Sequence, residues 1–226
     1  MTQVTYKLEK VDGRYYFNDG EKYVLIDTGY GSTVSYNGKI GPYHVGTKDL
    51  GEIHGFNPTF MHDGTKIGGF LCPSNGYSCL LKGDSVTIDD NAQDLPEHEW
   101  FIPFVPGRWP HVLCTVDGIQ KDLFFDSGMR LSVLGDNSLV KGKKKLGNIT
   151  EWIAPLPFRG LAEAPFYTAS FDFTCGFHFD GHFEYDALNV VASWQGDGFL
   201  GIEFLTQYDL FISAIPGKGG IAVIKR

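Results

Sequence analysis

The chain has 226 residues, 29 of them glycine, with 15% aromatic residues and a formal net charge of -8. Such a length fills one large or two small hydrophobic cores, and the acidic balance argues against a nucleic-acid groove, which needs a surplus of Lys and Arg. No apolar run is long enough to cross a bilayer, and Met1-Thr2-Gln3-Val4-Thr5 lacks the basic-then-apolar pattern of a secretion signal. The expectation is a soluble protein, cytoplasmic if Met1 is the true start and exported if a leader was removed before this numbering.

Glycine and aromatic enrichment with few long helical patterns predict an all-β protein with many tight turns. In the first half, Arg14-Tyr15-Tyr16-Phe17 reads as a strand turning at Asn18-Asp19-Gly20 into a second strand, Val24-Leu25-Ile26. That strand ends in Asp27-Thr28-Gly29, and Ser32-Thr33-Val34-Ser35 follows. Further on come Lys66-Ile67-Gly68-Gly69-Phe70-Leu71, then Gly76-Tyr77-Ser78-Cys79-Leu80-Leu81 and Ser85-Val86-Thr87-Ile88. A lobe boundary is placed near residue 95, with Trp100 to Pro110 as the connection.

The second half repeats the order. His111-Val112-Leu113-Cys114-Thr115 turns at Asp117-Gly118 into Leu123-Phe124-Phe125, which ends in Asp126-Ser127-Gly128 before Leu131-Ser132-Val133-Leu134. Phe199-Leu200-Gly201-Ile202-Glu203-Phe204-Leu205 then precedes Gln207-Tyr208-Asp209-Leu210-Phe211-Ile212 and Ile221-Ala222-Val223-Ile224. A duplication of this kind implies a pseudo-twofold molecule with the two aspartates at its axis. Residues 1–95 are expected to form the first lobe and 96–226 the second.

Six Asp-Gly steps, at 12, 19, 63, 117, 180 and 197, predict hairpin turns, since both residues tolerate positive φ. A two-residue turn at Asp180-Gly181 puts His178 and His182 on opposite faces, so they do not chelate one ion. Neither Cys-x-x-Cys nor His-Glu-x-x-His occurs, no Gly-x-Ser-x-Gly elbow appears, and no metal or other cofactor is expected. Four scattered cysteines do not make a disulfide scaffold, although a Cys72–Cys79 bridge stays open. Lys141 to Lys145 reads as a solvated basic loop, and Glu151 to Ala169, rich in Trp, Phe and Pro, as an ordered aromatic loop.

Asp27 and Asp126 carry the chemistry. A carboxylate at the end of a buried strand needs partners, and two of them brought together share one proton and activate water, which makes the pair a candidate catalytic dyad.

Over nearly its whole length the chain resembles the aspartic peptidases of the retropepsin and pepsin type, and the segment at 198–205 is especially similar to the second retropepsin motif. The resemblance implies a two-lobed acid-protease barrel fold and hydrolysis of a peptide or protein substrate bound in the cleft. It makes Asp27 and Asp126 the dyad. Thr28 and Ser127 become the source of crossed hydrogen bonds locking the two loops, and Gly29 and Gly128 the points of close backbone approach. It also places a flap over the cleft, for which Gly38 to Gly46, with Tyr43 closing over the peptide, is the candidate. One chain holds both half-sites, so a monomer suffices. Tyr30 and Met129 stand where relatives carry small or hydroxyl residues, which predicts fewer hydrogen bonds to the carboxylates and a pH optimum nearer neutral. The same departure leaves a peptide-binding or structural pseudo-protease as the alternative.

Overall fold

The computed structural model describes residues 3–11, 13–18, 23–30, 34–36, 40–41, 44–45, 48–49, 61–62, 65–66, 69–71, 77–153, 160–187 and 196–226. The strands in the first half are β1 (Gln3–Val11), β2 (Arg14–Asn18), β3 (Tyr23–Ile26), β4 (Val34–Tyr36), β5 (Ile40–Gly41), β6 (His44–Val45), β7 (Lys48–Asp49), β8 (Met61–His62), β9 (Thr65–Lys66), β10 (Gly69–Leu71), β11 (Ser78–Lys82) and β12 (Ser85–Asp89). Those of the second are β13 (Trp100–Pro103), β14 (His111–Val116), β15 (Ile119–Phe125), β16 (Ser132–Leu134), β17 (Gly147–Ile153), β18 (Gly160–Phe173), β19 (His178–Tyr185), β20 (Gly198–Leu200), β21 (Asp209–Ser213) and β22 (Gly220–Ile224). The protein is all-β.

Each half contains the same strand arrangement around its Asp-Thr/Ser-Gly. β10 lies between β3 and β4, parallel to the first and antiparallel to the second. β20 lies in the same way between β15 and β16. Both inserted strands read Gly-Phe-Leu: Gly69-Phe70-Leu71 pairs with Val24-Leu25-Ile26, and Gly198-Phe199-Leu200 with Leu123-Phe124-Phe125. Central strands buried on both faces favour such continuous apolar runs.

In the second half β14, β15, β20, β16, β19 and β18 pair in succession, and β14 also pairs with β18, which closes a six-stranded barrel. Closure removes sheet edges that would otherwise recruit other chains. From the first half, β1–β5 and β10–β12 belong to an eleven-stranded sheet that also contains β13, β21 and β22, while β6–β7 and β8–β9 are separate two-stranded pairs. Strands from both sides of residue 95 meet where β11 pairs with β21, Cys79 opposite Ile212 and Leu81 opposite Leu210. Arg226 Nε and the Gly83 N–H both donate to Asp209 Oδ1, at 2.8 and 2.9 Å, and hold β21 against the β11–β12 turn.

The main hydrophobic core runs through both sheets. Phe17, Val24, Ile26, Tyr77 and Ile88 from the first half pack with Phe125, Leu134, Phe171, Phe183 and Ile212 from the second. Each fully buried side chain of this size contributes about 1.5–3 kcal/mol of transfer free energy. The rings of Phe171 and Phe179 stack at 4.5 Å and those of Phe179 and Phe204 at 5.0 Å, which fixes the β18–β19 hairpin on the segment after β20.

Some sequence expectations are corrected. Asp117-Gly118 joins Val116 to Ile119 with φ of 49° and 79°, the two positive angles of a type I′ turn. Asp180-Gly181, however, lies inside β19, opposite Ser170 and Ala169, and Gly198 lies inside β20. Tertiary pairing overrides the local turn preference at both steps. His178 and His182 therefore share one face of a continuous strand, four residues apart, instead of facing opposite ways. Each has a carboxylate of its own: His178 Nδ1 is 2.7 Å from Asp172 and His182 Nδ1 is 2.7 Å from Glu203. The described part of the segment 151–169 is strand and not loop: residues 151–153 end β17 and residues 160–169 belong to β18, where Pro165 sits opposite Asn148, while 154–159 lie outside the described residues. The connection after residue 95 begins with a strand, β13, on the edge of the large sheet. Cys72 and the flap candidate Tyr43 lie outside the described residues.

Candidate active site

β3 and the last three residues of β15 are apolar, and each strand runs directly into its aspartate. Ile26 and Phe125 are fully buried, and the next residue of each is the aspartate. The Asp126 N–H donates to the Leu200 carbonyl at 2.9 Å, so the inserted strand anchors the backbone at the carboxylate. The chain then turns tightly: the Gly29 N–H donates to Asp27 Oδ1 at 2.8 Å, and the Gly128 N–H to Asp126 Oδ1 at 2.9 Å. These two bonds aim both carboxyl groups at the opposite loop.

Four further hydrogen bonds cross between the loops. The Thr28 hydroxyl donates to the Phe125 carbonyl at 2.7 Å and accepts the Ser127 N–H at 2.9 Å. The Ser127 hydroxyl donates to the Ile26 carbonyl and accepts the Thr28 N–H, both at 2.9 Å. Both hydroxyl residues are fully buried. The reciprocity satisfies every donor and acceptor in the crossing, as a low-dielectric site requires.

The glycines make the approach possible. A Cβ built on Gly29 would collide with the carboxyl group of Asp126, and one on Gly128 would stand 2.6 Å from Cγ of Asp27. Gly29→Ala and Gly128→Ala are therefore expected to push the carboxyl groups apart and lower any dyad activity by about 10²-fold, the penalty for displacing reacting groups by an ångström. A kcat/KM comparison on folded variants checks this.

Asp27 is buried, Asp126 is half-buried, and their side chains hydrogen-bond to each other. Burial pushes the Asp126 carboxyl above the ordinary carboxylate range; the bond with Asp27, the N–H groups of Gly128 and Met129 and the charge of Arg14 act against that rise. An acid whose folded pKa is raised stabilises the fold below its unfolded value, near 3.9, and that contribution is lost as pH rises through the folded value. Asp126→Asn removes the ionising group. Thermal melts should show the variant gaining on the wild type as pH increases from about 4 to 8; a constant difference contradicts the burial argument.

The structure thus brings together Asp27, Thr28, Gly29, Asp126, Ser127 and Gly128. Met129 does not come between the carboxyl groups. Its side chain packs against Phe124, Val133 and Phe199. Arg14 was not singled out in the sequence: it is buried on β2, and its Nε donates to the Gly128 carbonyl at 2.8 Å. Its only sequence signal is a charged residue opening an otherwise aromatic strand. Among the described residues no group of three or more His, Cys, Asp or Glu side chains is arranged to hold a metal, and no helix is long and apolar enough to cross a membrane. Comparison with protein-family models and with curated proteins finds no match for this sequence.

Proposed function

We propose that this protein is an aspartic endopeptidase with the two-lobed architecture of the pepsin and retropepsin type, the two motif loops meeting at the base of an interlobe cleft. The observation that carries the reading is the hydrogen-bonded pair Asp27–Asp126, set at the ends of two topologically equivalent strands and locked by reciprocal Thr28–Ser127 bonds. Two carboxyl groups this close do not both ionise near neutral pH, so the pair holds one proton over a broad range.

That state supports general acid–base hydrolysis. A water held between the carboxyl groups attacks the peptide carbonyl carbon and gives its proton to the ionised member. The protonated member donates to the carbonyl oxygen, which yields a tetrahedral diol with no covalent enzyme intermediate. On collapse, the first carboxyl group returns its proton to the departing nitrogen and the second recovers one from the diol. The six motif residues supply all the groups these steps use, and one chain contains them all. An extended peptide suits a cleft between β-lobes, where strand-like main-chain bonds give affinity and alternate side chains give selectivity.

The upward push on Asp126 favours an optimum nearer neutral than that of acid proteases. The test is digestion of a diverse peptide library from about pH 3 to 8, with and without pepstatin, whose hydroxyl mimics the diol. Cleavage that pepstatin blocks, with a maximum above pH 4, is the expected result. Peptide binding without cleavage at any pH contradicts the enzyme and leaves a pseudo-protease.

A further inference from the structure

The second motif loop is braced by the residues that follow β20. A Cβ on Gly201 would stand 2.4 Å from the Leu131 carbonyl, so this segment lies directly against the chain where it leaves the loop for β16. The Gly201 N–H donates to the Ser132 hydroxyl at 3.2 Å and the Ile202 N–H to the Met129 carbonyl at 2.9 Å. Met129 in turn donates its own N–H to the Asp126 carbonyl at 3.1 Å. The ring of Phe204 lies 6.4 Å from that of Phe125, the residue before Asp126. The first half has no sequence counterpart to this brace. The register that matches Gly69-Phe70-Leu71 with Gly198-Phe199-Leu200 sets Cys72-Pro73-Ser74 against Gly201-Ile202-Glu203, and proline has no N–H to donate. Cys72 to Ser74 lie outside the described residues.

Glu203 opens a short 3₁₀ helix, Glu203–Gln207, and grips β19 with both carboxylate oxygens. Pairing of β16 with β19 starts at Phe183, opposite Ser132. One residue earlier the His182 N–H donates to Glu203 Oε2 at 2.8 Å, and His182 Nδ1 lies 2.7 Å from Oε1. The carboxylate therefore continues the edge of β19 where β16 stops. Gly181 makes room for it: a Cβ there would stand 2.9 Å from Glu203 Oε2 and 2.7 Å from the Phe179 ring. A glycine inside a strand often marks such a close approach, which accounts for Asp180-Gly181 at a position that makes no turn. The side chains of His182 and Glu203 are half-exposed, so the pair adds little to global stability. What it fixes is the start of the helix, one residue from the N–H that holds Met129.

We propose that Glu203 and His182 form a positioning clamp for the second motif loop, holding Ile202 where its N–H fixes the Met129 carbonyl and, through it, the approach of Asp126 to Asp27. The inference rests on reading the two aspartates as a dyad and adds a pair of residues on which its geometry depends. The clamp touches neither a substrate nor the reacting carboxyl groups. It acts on the distance and angle between those groups, so its loss falls on kcat and leaves substrate affinity nearly unchanged.

The test is steady-state kinetics of the full chain on a peptide that the wild type cleaves and pepstatin protects, with melting temperatures measured alongside. Glu203→Ala should lower kcat by about 10²-fold, the effect of moving reacting groups by an ångström, with KM little changed. Glu203→Gln keeps an acceptor for the His182 N–H and a polar partner for the ring, and should recover most of the loss. His182→Ala keeps the main-chain bond to Glu203 and should fall between wild type and Glu203→Ala. Asp180→Ala, on the same strand but bonded to Ser170 and not to the helix, should match the wild type. Wild-type kcat in a folded Glu203→Ala protein overturns the proposal. So does a loss confined to KM, a Glu203→Gln protein as slow as Glu203→Ala, or a fall in kcat that follows the melting temperature. If Glu203→Ala does not fold, His182→Ala decides, and wild-type kcat in that variant overturns the clamp. Failure of the dyad reading has a different signature, no pepstatin-sensitive cleavage by the wild type, and removes both conclusions.

Discussion

Asp27→Asn and Asp126→Asn are each expected to lower kcat/KM by about 10²–10⁴-fold, the range general acid–base groups supply. Asparagine keeps the shape of the carboxylate, and its amide oxygen still accepts the N–H of Gly29 or Gly128, so the loops retain their turns. What disappears is the proton that moves between water, the pair and the peptide. The losses should not add: once one carboxyl group is gone the other has nothing to share, so the double variant should be little worse than either single one. Circular dichroism and melting temperature separate this from unfolding. Relief of a buried, coupled charge should leave the Asn variants at least as stable as wild type near neutral pH. Equal kcat/KM in wild type and both variants contradicts the assignment.

The second large effect falls on stability. Ser127→Ala removes a hydroxyl that joins the Thr28 N–H to the Ile26 carbonyl, and Thr28→Val removes one that joins the Ser127 N–H to the Phe125 carbonyl. Each substitution orphans a buried donor and a buried acceptor, at about 1–3 kcal/mol apiece. With some relaxation, each variant should lose about 2–4 kcal/mol in denaturant-induced unfolding, much more than a typical surface substitution. The four bonds form one network, so a double-mutant cycle should give a coupling energy of about 0.5–3 kcal/mol. Exchanging the hydroxyl residues, Thr28→Ser with Ser127→Thr, keeps every donor and acceptor and should restore most of the loss. A loss under about 0.5 kcal/mol in both single variants would mean that the crossing does not hold the loops together.

How much of this was legible beforehand varies from residue to residue. The apolar strands before Asp27 and Asp126 were plain because period and composition agreed with the buried environment they enter. The closing hairpins β11–β12 and β21–β22 were visible for the same reason. The identical Gly-Phe-Leu of β10 and β20 is present in the sequence, but matching 66–71 with 199–205 sets the repeat a few residues off register, because three residues carry too little periodicity to fix a strand by themselves. Asp180-Gly181 misled: a turn-forming dipeptide entered mid-strand, where the ladder with Ser170 and Ala169 outweighs local preference. Segment 151–169 misled in the opposite sense, since its composition suggested a loop while Trp152 and Phe166 belong to the paired strands β17 and β18. Arg14 was unreadable as a site residue. Its partner is 114 positions away, and only the fold brings a β2 guanidinium to the carbonyl of Gly128.

The measurement that bears most directly on the central claim is a ¹³C titration of the Asp27 and Asp126 carboxyl carbons in the wild-type protein. A shared proton predicts two steps that belong to the pair and lie more than about two pH units apart, each step moving both resonances. Two independent transitions near the ordinary aspartate value of about 3.9, each confined to one carboxyl carbon, would show that no proton is shared and contradict the dyad.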